Sequence, residues 1–425
     1  MDSNDLSDPN KKKENKIKGK NILEKIKSKY VLKQILEILH QKNFLSIIKY
    51  SKKIRKKLNL SIKDYKKYHD IEIEIVTKGY GNFINIINEK EKPFFHIYFD
   101  KSKEEVNRTF INIGEKVKKI KVIINYQVKS FNKLFHNCNC IKSICFRNFY
   151  RNNITNMNSM FYGCSSLKKL CFSSFNTENI SDMGFMFFGC SKIKELDLSN
   201  FKTHNLKIMN SMFSKCSLIK KLDLSSFDTS NVKNMSCLFY KCSSLEELNI
   251  SKFITNNVTD VKKMFFGCTS LKELDLSNFN TNNVTNMSYM FRKCLSLEKL
   301  ELNNFNTDNV TKMKSMFYKC KKLKELDLSK FNTNKVTNMK YMFYKCSSFK
   351  ELKMSKSNTN KIVYMNGMFQ GCPILNQIIL FKFNPNNGAD TKGMIGECSE
   401  ELKSNSQTQN ESFSYETFRY IFGEK

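Results

Sequence analysis

The sequence predicts an α/β repeat solenoid, an array of parallel strands and short helices, and three observations carry that expectation. Eleven cysteines, Cys138, Cys164, Cys190, Cys216, Cys242, Cys268, Cys294, Cys320, Cys346, Cys372 and Cys398, stand 26 residues apart with no insertion between them. Leucine, phenylalanine and methionine recur on the same interval. Within each interval the apolar period changes from two to about 3.6, the change from strand to helix. An unbroken interval of this length marks stacked supersecondary units. Such an array offers extended surfaces in place of one cleft.

One copy shows how each element arises. Leu274 and Leu276 alternate with Glu273, Asp275 and Ser277, the pattern of a strand with one buried face. Val284, Met287, Met290, Phe291 and Cys294 then fall on one stripe of a helix, with Thr285 as its expected N-cap. Identical strands in series pair in parallel, and each copy buries its apolar stripe only against its neighbours. Stacking turns each repeat position into a ladder. Leu170, Leu196, Leu222, Leu248, Leu274, Leu300, Leu326 and Leu352 form one; a phenylalanine ladder runs from Phe149 to Phe331. Asn153, Asn179, Asn205, Asn231, Asn257, Asn283 and Asn309 form an amide ladder, suited to bridging turn backbones because an amide both donates and accepts.

The repeat pattern extends over 117–398, with an atypical first unit in which Val117, Ile120 and Val122 supply the strand. Residues 1–20 read as a disordered basic tail and 21–67 as a helical segment with Ile22, Ile26, Leu32, Ile35 and Leu39 near helical spacing. Residues 68–116 alternate apolar and polar, as in Ile71–Ile75, and read as a small β unit capping the open edge of the first repeat. A polar tail is expected over 399–425.

The net charge is +32, a balance that attracts polyanions and anionic surfaces. The beginning of the chain has no apolar stretch of signal-peptide length, and no segment is long enough to span a bilayer, so the sequence alone points to the cytoplasm. There the thiols stay reduced. Cys145 and Cys171 occupy the outward strand position of adjacent repeats and are expected side by side. The five histidines make no repeated pair with a nucleophile, and no phosphate-cradling glycine loop or zinc-binding helix is present. Cys138-Asn-Cys140 suits no zinc spacing. The expectation is therefore a protein that is not an enzyme, with no cofactor, no metal and no small-molecule substrate.

The strings Leu-Asp-Leu-Ser-x-Phe-Asn-Thr-x-Asn-Val-Thr-Asn-Met and Met-Phe-x-x-Cys resemble the BspA-like leucine-rich repeats of bacterial and protist surface proteins, including the 26-residue repeats of mycoplasma lipoprotein-type proteins. The resemblance covers about Val117 to Cys398. It implies a right-handed leucine-rich-repeat solenoid, a protein-binding scaffold of surface or adhesion type, and a place at the cell surface. An alternative lies in Tyr30–Leu39, Phe44–Ile48 and Lys52–Arg55, which resemble an F-box; that family docks a Skp-type adaptor and presents substrates for ubiquitylation on its repeats.

Two rows are candidate binding surfaces for an unknown protein ligand. Asp197, Asp223, Asn249, Asp275, Glu301 and Asp327 project from the strands as an acidic row, with Lys194, Lys220, Lys272 and Lys324 three positions earlier. Tyr240, Lys241, Arg292, Lys293, Tyr318, Lys319, Tyr344 and Lys345 form a basic and aromatic row on a flank, interrupted by Gly163, Gly189, Gly267 and Gly371. That pairing suits phosphate contact with base stacking, or an anionic membrane surface.

Overall fold

The computed structural model describes residues 25–28, 31–32, 51–59, 70–172, 175–354, 360–375, 377–380 and 388–399. The tail expected over 1–20, most of the helical segment over 21–67 and the tail beyond 399 lie outside these residues. Helix α1 (Lys52–Leu58) is described; the Ser51 hydroxyl accepts from the Ile54 N–H at its N-terminus.

The strands, in chain order, begin with β1 (Ile71–Thr77), β2 (Gly81–Asn82), β3 (Phe95–Phe99), β4 (Phe110–Ile111), β5 (Lys119–Ile124) and β6 (Ile141–Phe146). β7 (Lys169–Cys171), β8 (Lys221–Asp223), β9 (Glu247–Asn249), β10 (Glu273–Asp275), β11 (Lys299–Glu301), β12 (Glu325–Asp327), β13 (Glu351–Met354) and β14 (Gln377–Leu380) follow. The first sheet has the order β3-β5-β1-β6-β7. Alternation in β1 sends Ile71, Ile73 and Ile75 into the core.

The first unit departs from the expected plan. β5, which holds the anticipated first repeat strand, pairs antiparallel with β1 and β3, and β1 takes the place beside β6. Its antiparallel bonds occupy the β6 edge that a parallel predecessor would otherwise meet. Only the second half of that unit joins the array, where Ser130 bridges Asn156 in parallel.

From β6 onward like positions stack one above the next. Leu222 lies opposite Leu248, Leu274 opposite Leu300, and Leu326 opposite Leu352. The strand side is a series of short ladders, however: β6 pairs with β7, β8 with β9, β10 with β11, and β12 with β13 and β14. The unbroken parallel column runs through Ser130, Asn156, Asp182, Ile208, Asn234, Asp260, Asn286, Lys312, Asn338, Tyr364 and Asp390, at the start of the expected helices.

Those short helices are not formed; among the described residues of the array every expected helix is a run of turns. The N–H groups of Met287, Tyr289, Phe291 and Lys293 donate to the carbonyls of Lys312, Lys314, Met316 and Tyr318 in the next repeat, at 2.7 to 3.0 Å. The intervening Met290, Arg292 and Cys294 donate three residues back within their own repeat. Odd positions thus bond between repeats and even positions within them, so the backbone is satisfied without a helix. The cause is spacing. Parallel strands sit about 4.8 Å apart, whereas a helix with its side chains is about 10 Å wide, so helices cannot stack at every step of a straight array. Turns place apolar residues inward nearly as a helical stripe would, which is why the pattern misleads; Thr285 caps nothing helical.

Met287, Met290, Phe291 and Cys294 are fully buried. Phe265, Phe291, Phe317, Phe343 and Phe369 stack with centroids 5.3 to 5.6 Å apart. Burying each such ring contributes about 1.5–3 kcal/mol. The Cys294 thiol donates to the Phe265 carbonyl at 3.1 Å, and the thiols from Cys164 to Cys398 make the same contact to the carbonyl 29 residues back. The cysteines are unbridged.

Candidate binding surfaces of the array

The amide ladder holds the turns that present both rows. Asn257 Nδ2 donates to the Ser230 carbonyl at 2.7 Å, Asn283 to Asn256 at 2.7 Å and Asn309 to Asn282 at 2.8 Å, each one repeat back. A second ladder escaped the sequence reading. Thr281 Oγ1 donates to the Asn306 carbonyl at 2.7 Å and accepts from the Asn306 N–H at 2.8 Å, and Thr177, Thr203, Thr229, Thr255 and Thr307 repeat this arrangement. These threonines recur every 26 residues, a signal the sequence carried.

The acidic row lies in file on the strand side. Asp223 on β8 is register partner of Asn249 on β9, Asp275 on β10 of Glu301 on β11, and Asp327 on β12 of Lys353 on β13. Asp197 stands in a segment without ladder pairing, between β7 and β8. All but Glu301 are exposed. Each aspartate also holds its own turn: Oδ1 of Asp197, Asp223, Asp275 and Asp327 accepts from the N–H of Ser199, Ser225, Ser277 and Ser329 at 2.8 to 3.0 Å. Hydrogen bonds from the serine hydroxyl and N–H lower the pKa of Asp197 and Asp275, and the Ser225 N–H and hydroxyl lower that of Asp223. Lys220 and Lys221 pair with Glu246 and Glu247 at 3.2 and 2.6 Å rather than with the row. The strand side is therefore a mixed surface crossed by an acidic line. A cleft of about 950 Å³ opens beside Asp197, lined by Leu196, Leu198, Lys220, Lys221 and Asp223, where the Asp197 segment and β8 form no ladder with one another.

The basic and aromatic row divides into two columns. Rings form the first: Tyr240 lies 4.9 Å from Phe266, and Tyr318 stacks on Tyr344 at 4.7 Å. Arg292 fills the interval, its guanidinium 3.6 Å from the Tyr318 ring and 5.9 Å from Phe266. The second column holds Lys241, Lys293, Lys319 and Lys345, with φ of 57°, 61°, 60° and 55°. Gly163, Gly189, Gly267 and Gly371 occupy the same column with φ of 70° to 76°, so the glycines are the residues best fitted to this left-handed position rather than interruptions. Lys241, Lys319 and Lys345 fold back over the preceding tyrosine at 5.4 to 5.5 Å.

The structure adds a third column four residues earlier, also left-handed: Lys263, Tyr289, Ser315 and Tyr341. This column lies three and four residues before the two positions that the sequence reading followed ahead of each cysteine, and so was passed over. Together the columns enclose a groove of about 680 Å³ lined by Lys262, Lys263, Phe266, Tyr289, Arg292, Lys314, Ser315, Tyr318, Tyr341, Tyr344 and Gln370.

Cys145 and Cys171 are register partners on β6 and β7, as expected, and burial pushes the Cys145 thiol up to about 11. Cys138 and Cys140 diverge: Cys138 receives the Asn85 amide, and Cys140 Sγ lies 3.1 Å from the Asn82 carbonyl.

A family described as "Mycoplasma protein of unknown function, DUF285" matches residues 129–245, 209–326 and 298–408, well over half of the chain. The chain belongs to this family. The resemblance of its repeats to the mycoplasma-type, BspA-like leucine-rich repeats is thereby sustained, and the DUF285 chain is a repeat scaffold. Among solved structures it is similar to a leucine-rich repeat protein from Bacteroides ovatus, with a TM-score of 0.31 and 18% identity over 72% of this chain and 89% of that one. A leucine rich cell surface protein from Faecalibacterium prausnitzii matches with a TM-score of 0.29 and 14% identity over 60% and 83% of the two chains. A leucine-rich repeat protein from Eubacterium ventriosum matches with a TM-score of 0.24 and 14% identity over 56% and 80%. No curated protein matches the chain. Nothing in these comparisons supports the F-box alternative, and most of Tyr30–Arg55 lies outside the described residues. No helix among the described residues is long and apolar enough to cross a membrane.

Proposed function

We propose that this DUF285 chain is a non-enzymatic scaffold of surface type that binds a protein partner along its strand side, through the row from Asp197 to Asp327. The observation that carries the reading is the in-file register of that row: Asp223, Asp275 and Asp327 stand at one position of exposed strands, each fixed by a serine two residues on. Carboxylates held at a constant interval form a template for a partner with basic groups in sequence. The coil is right-handed in this reading, in keeping with parallel crossover connections. Its place is the cell surface, as the family resemblance implies, with the cytoplasm as the alternative. Proteolysis of intact cells separates the two locations, since only a surface protein is cut.

The face is tested by D223N/D275N/D327N. An asparagine amide oxygen accepts the same serine N–H, as Asn249 does from Ser251 at 3.3 Å, so the turns persist while the charge goes. Partners captured by the wild-type chain from its native host are offered to the triple variant. We expect retention to fall by about tenfold or more, the scale of losing several interface charge pairs. Unchanged retention refutes this face.

A further inference from the structure

The groove between Lys262 and Tyr344 differs in charge and composition from the strand side. We propose that it docks an extended acidic segment of a partner protein, with Arg292 gripping a carboxylate. This goes beyond the strand-side reading and stands without it, because site and partner chemistry both differ.

Charge is the first argument. Lys262, Lys263, Arg292 and Lys314 line the groove, and no carboxylate does. Among the described residues none of these four forms an ion pair. The nearby Asp260 directs Oδ1 to the backbone N–H of Lys262 at 2.8 Å, fixing the turn. Geometry is the second. The Arg292 guanidinium carbon sits over the Tyr318 ring, 3.6 Å from its centroid, and 5.6 Å from that of Tyr289. A guanidinium seated on a ring has lost its torsional freedom but keeps its N–H edge, the fork that matches a carboxylate.

The aromatic groups decide between classes of anion. Tyr318 and Tyr344 cover one another's faces, and Tyr289 is covered by Lys263, Arg292 and Lys314 at 5.6 to 5.9 Å. Faces already in use are not free to stack on nucleic-acid bases, which is what single-strand binding requires. None of the strongly exposed apolar side chains lines the groove, so it has nothing to insert into a bilayer. What remains is tyrosine edges and cations in a concavity, the composition of protein-interface anchors.

The test uses the full chain and a fluorescein-labelled deca-glutamate peptide, read by anisotropy at about 0.15 M salt, where long-range attraction is damped. R292K keeps the charge but loses the fork, and we expect affinity to fall about fivefold; R292E should lose about tenfold or more. K119E, the same charge change on β5 outside the groove, should alter affinity less than about twofold. K314Q provides a second groove variant, and thermal melts verify that each variant is folded. Equal binding by wild type and R292K, or equal losses in K119E and R292E, overturns the proposal in favour of attraction to net charge. Tighter groove-dependent binding of a single-stranded oligonucleotide of the same charge, or of anionic vesicles, overturns it in favour of those ligands.

Discussion

The Thr281 hydroxyl donates to one backbone group of the next repeat and accepts from another while 1% exposed. Valine has the same shape and neither bond, so Thr281→Val deprives the half-buried Asn306 N–H and carbonyl of their partner and should cost about 1–3 kcal/mol. Thr281→Ser keeps both bonds and should cost about 1 kcal/mol for the lost methyl. Urea denaturation distinguishes the two; equal losses would deny the hydroxyl its role. The thiols add a pH dependence. Burial pushes Cys242, Cys294 and Cys346 up to about 12 from an ordinary value of 9.0. A group whose folded pKa is raised gives its full stabilisation below the unfolded value and loses it as pH climbs toward the folded one. Stability should therefore hold to about pH 9 and then fall, each thiol contributing about 1.4 kcal/mol per pH unit. Urea midpoints from about pH 8 to 11 should show that decline, less steep in Cys294→Ala. A flat profile would mean that the thiols are not confined as described.

The turn run is the element on which sequence and structure part. Strand positions such as Leu274 and Asp275, the amide ladder and the 26-residue register were all legible, because period-two alternation and identical spacing survive any detail of the connections. The helix was not excluded by local pattern: Met287, Met290 and Phe291 face the core in a helix or in successive turns. Only the spacing between repeats separates the two, and that is a property of the stack. The groove stayed hidden because the sequence reading followed only the two positions before the cysteine; Tyr289, three residues before Arg292, shares a face with it in a helix or in successive turns, and here both Tyr289 and Lys293 are left-handed. That conformation is itself testable. Lys293→Gly should be neutral or stabilise by up to about 1 kcal/mol, whereas Lys293→Val should cost about 1–2 kcal/mol, because a β-branched residue resists positive φ. In a helix the order would reverse, with glycine the more costly of the two. Thermal melts of the pair therefore report the backbone of this segment directly.

The molecule as a whole is a set of ladders sharing one period, and its surfaces inherit that period. The acidic line arises because the Asp275 position recurs as an acidic residue or its amide, and the basic groove because Arg292 takes one place in a recurring column of aromatic rings. Any residue gained or lost inside a repeat shifts every ladder on one side of the change. Removing one whole unit does not. The most direct measurement is thus urea unfolding of two deletions, residues 261–286 and residues 261–273. Removing 261–286, one 26-residue step, brings Asp260 next to Met287 with every ladder in register, so a cooperative transition with a slope only slightly reduced is expected. Removing 261–273 sets turn positions against strand positions, and the transition should broaden or vanish. Equal tolerance of both deletions would contradict the stacking on which the fold and both binding surfaces depend.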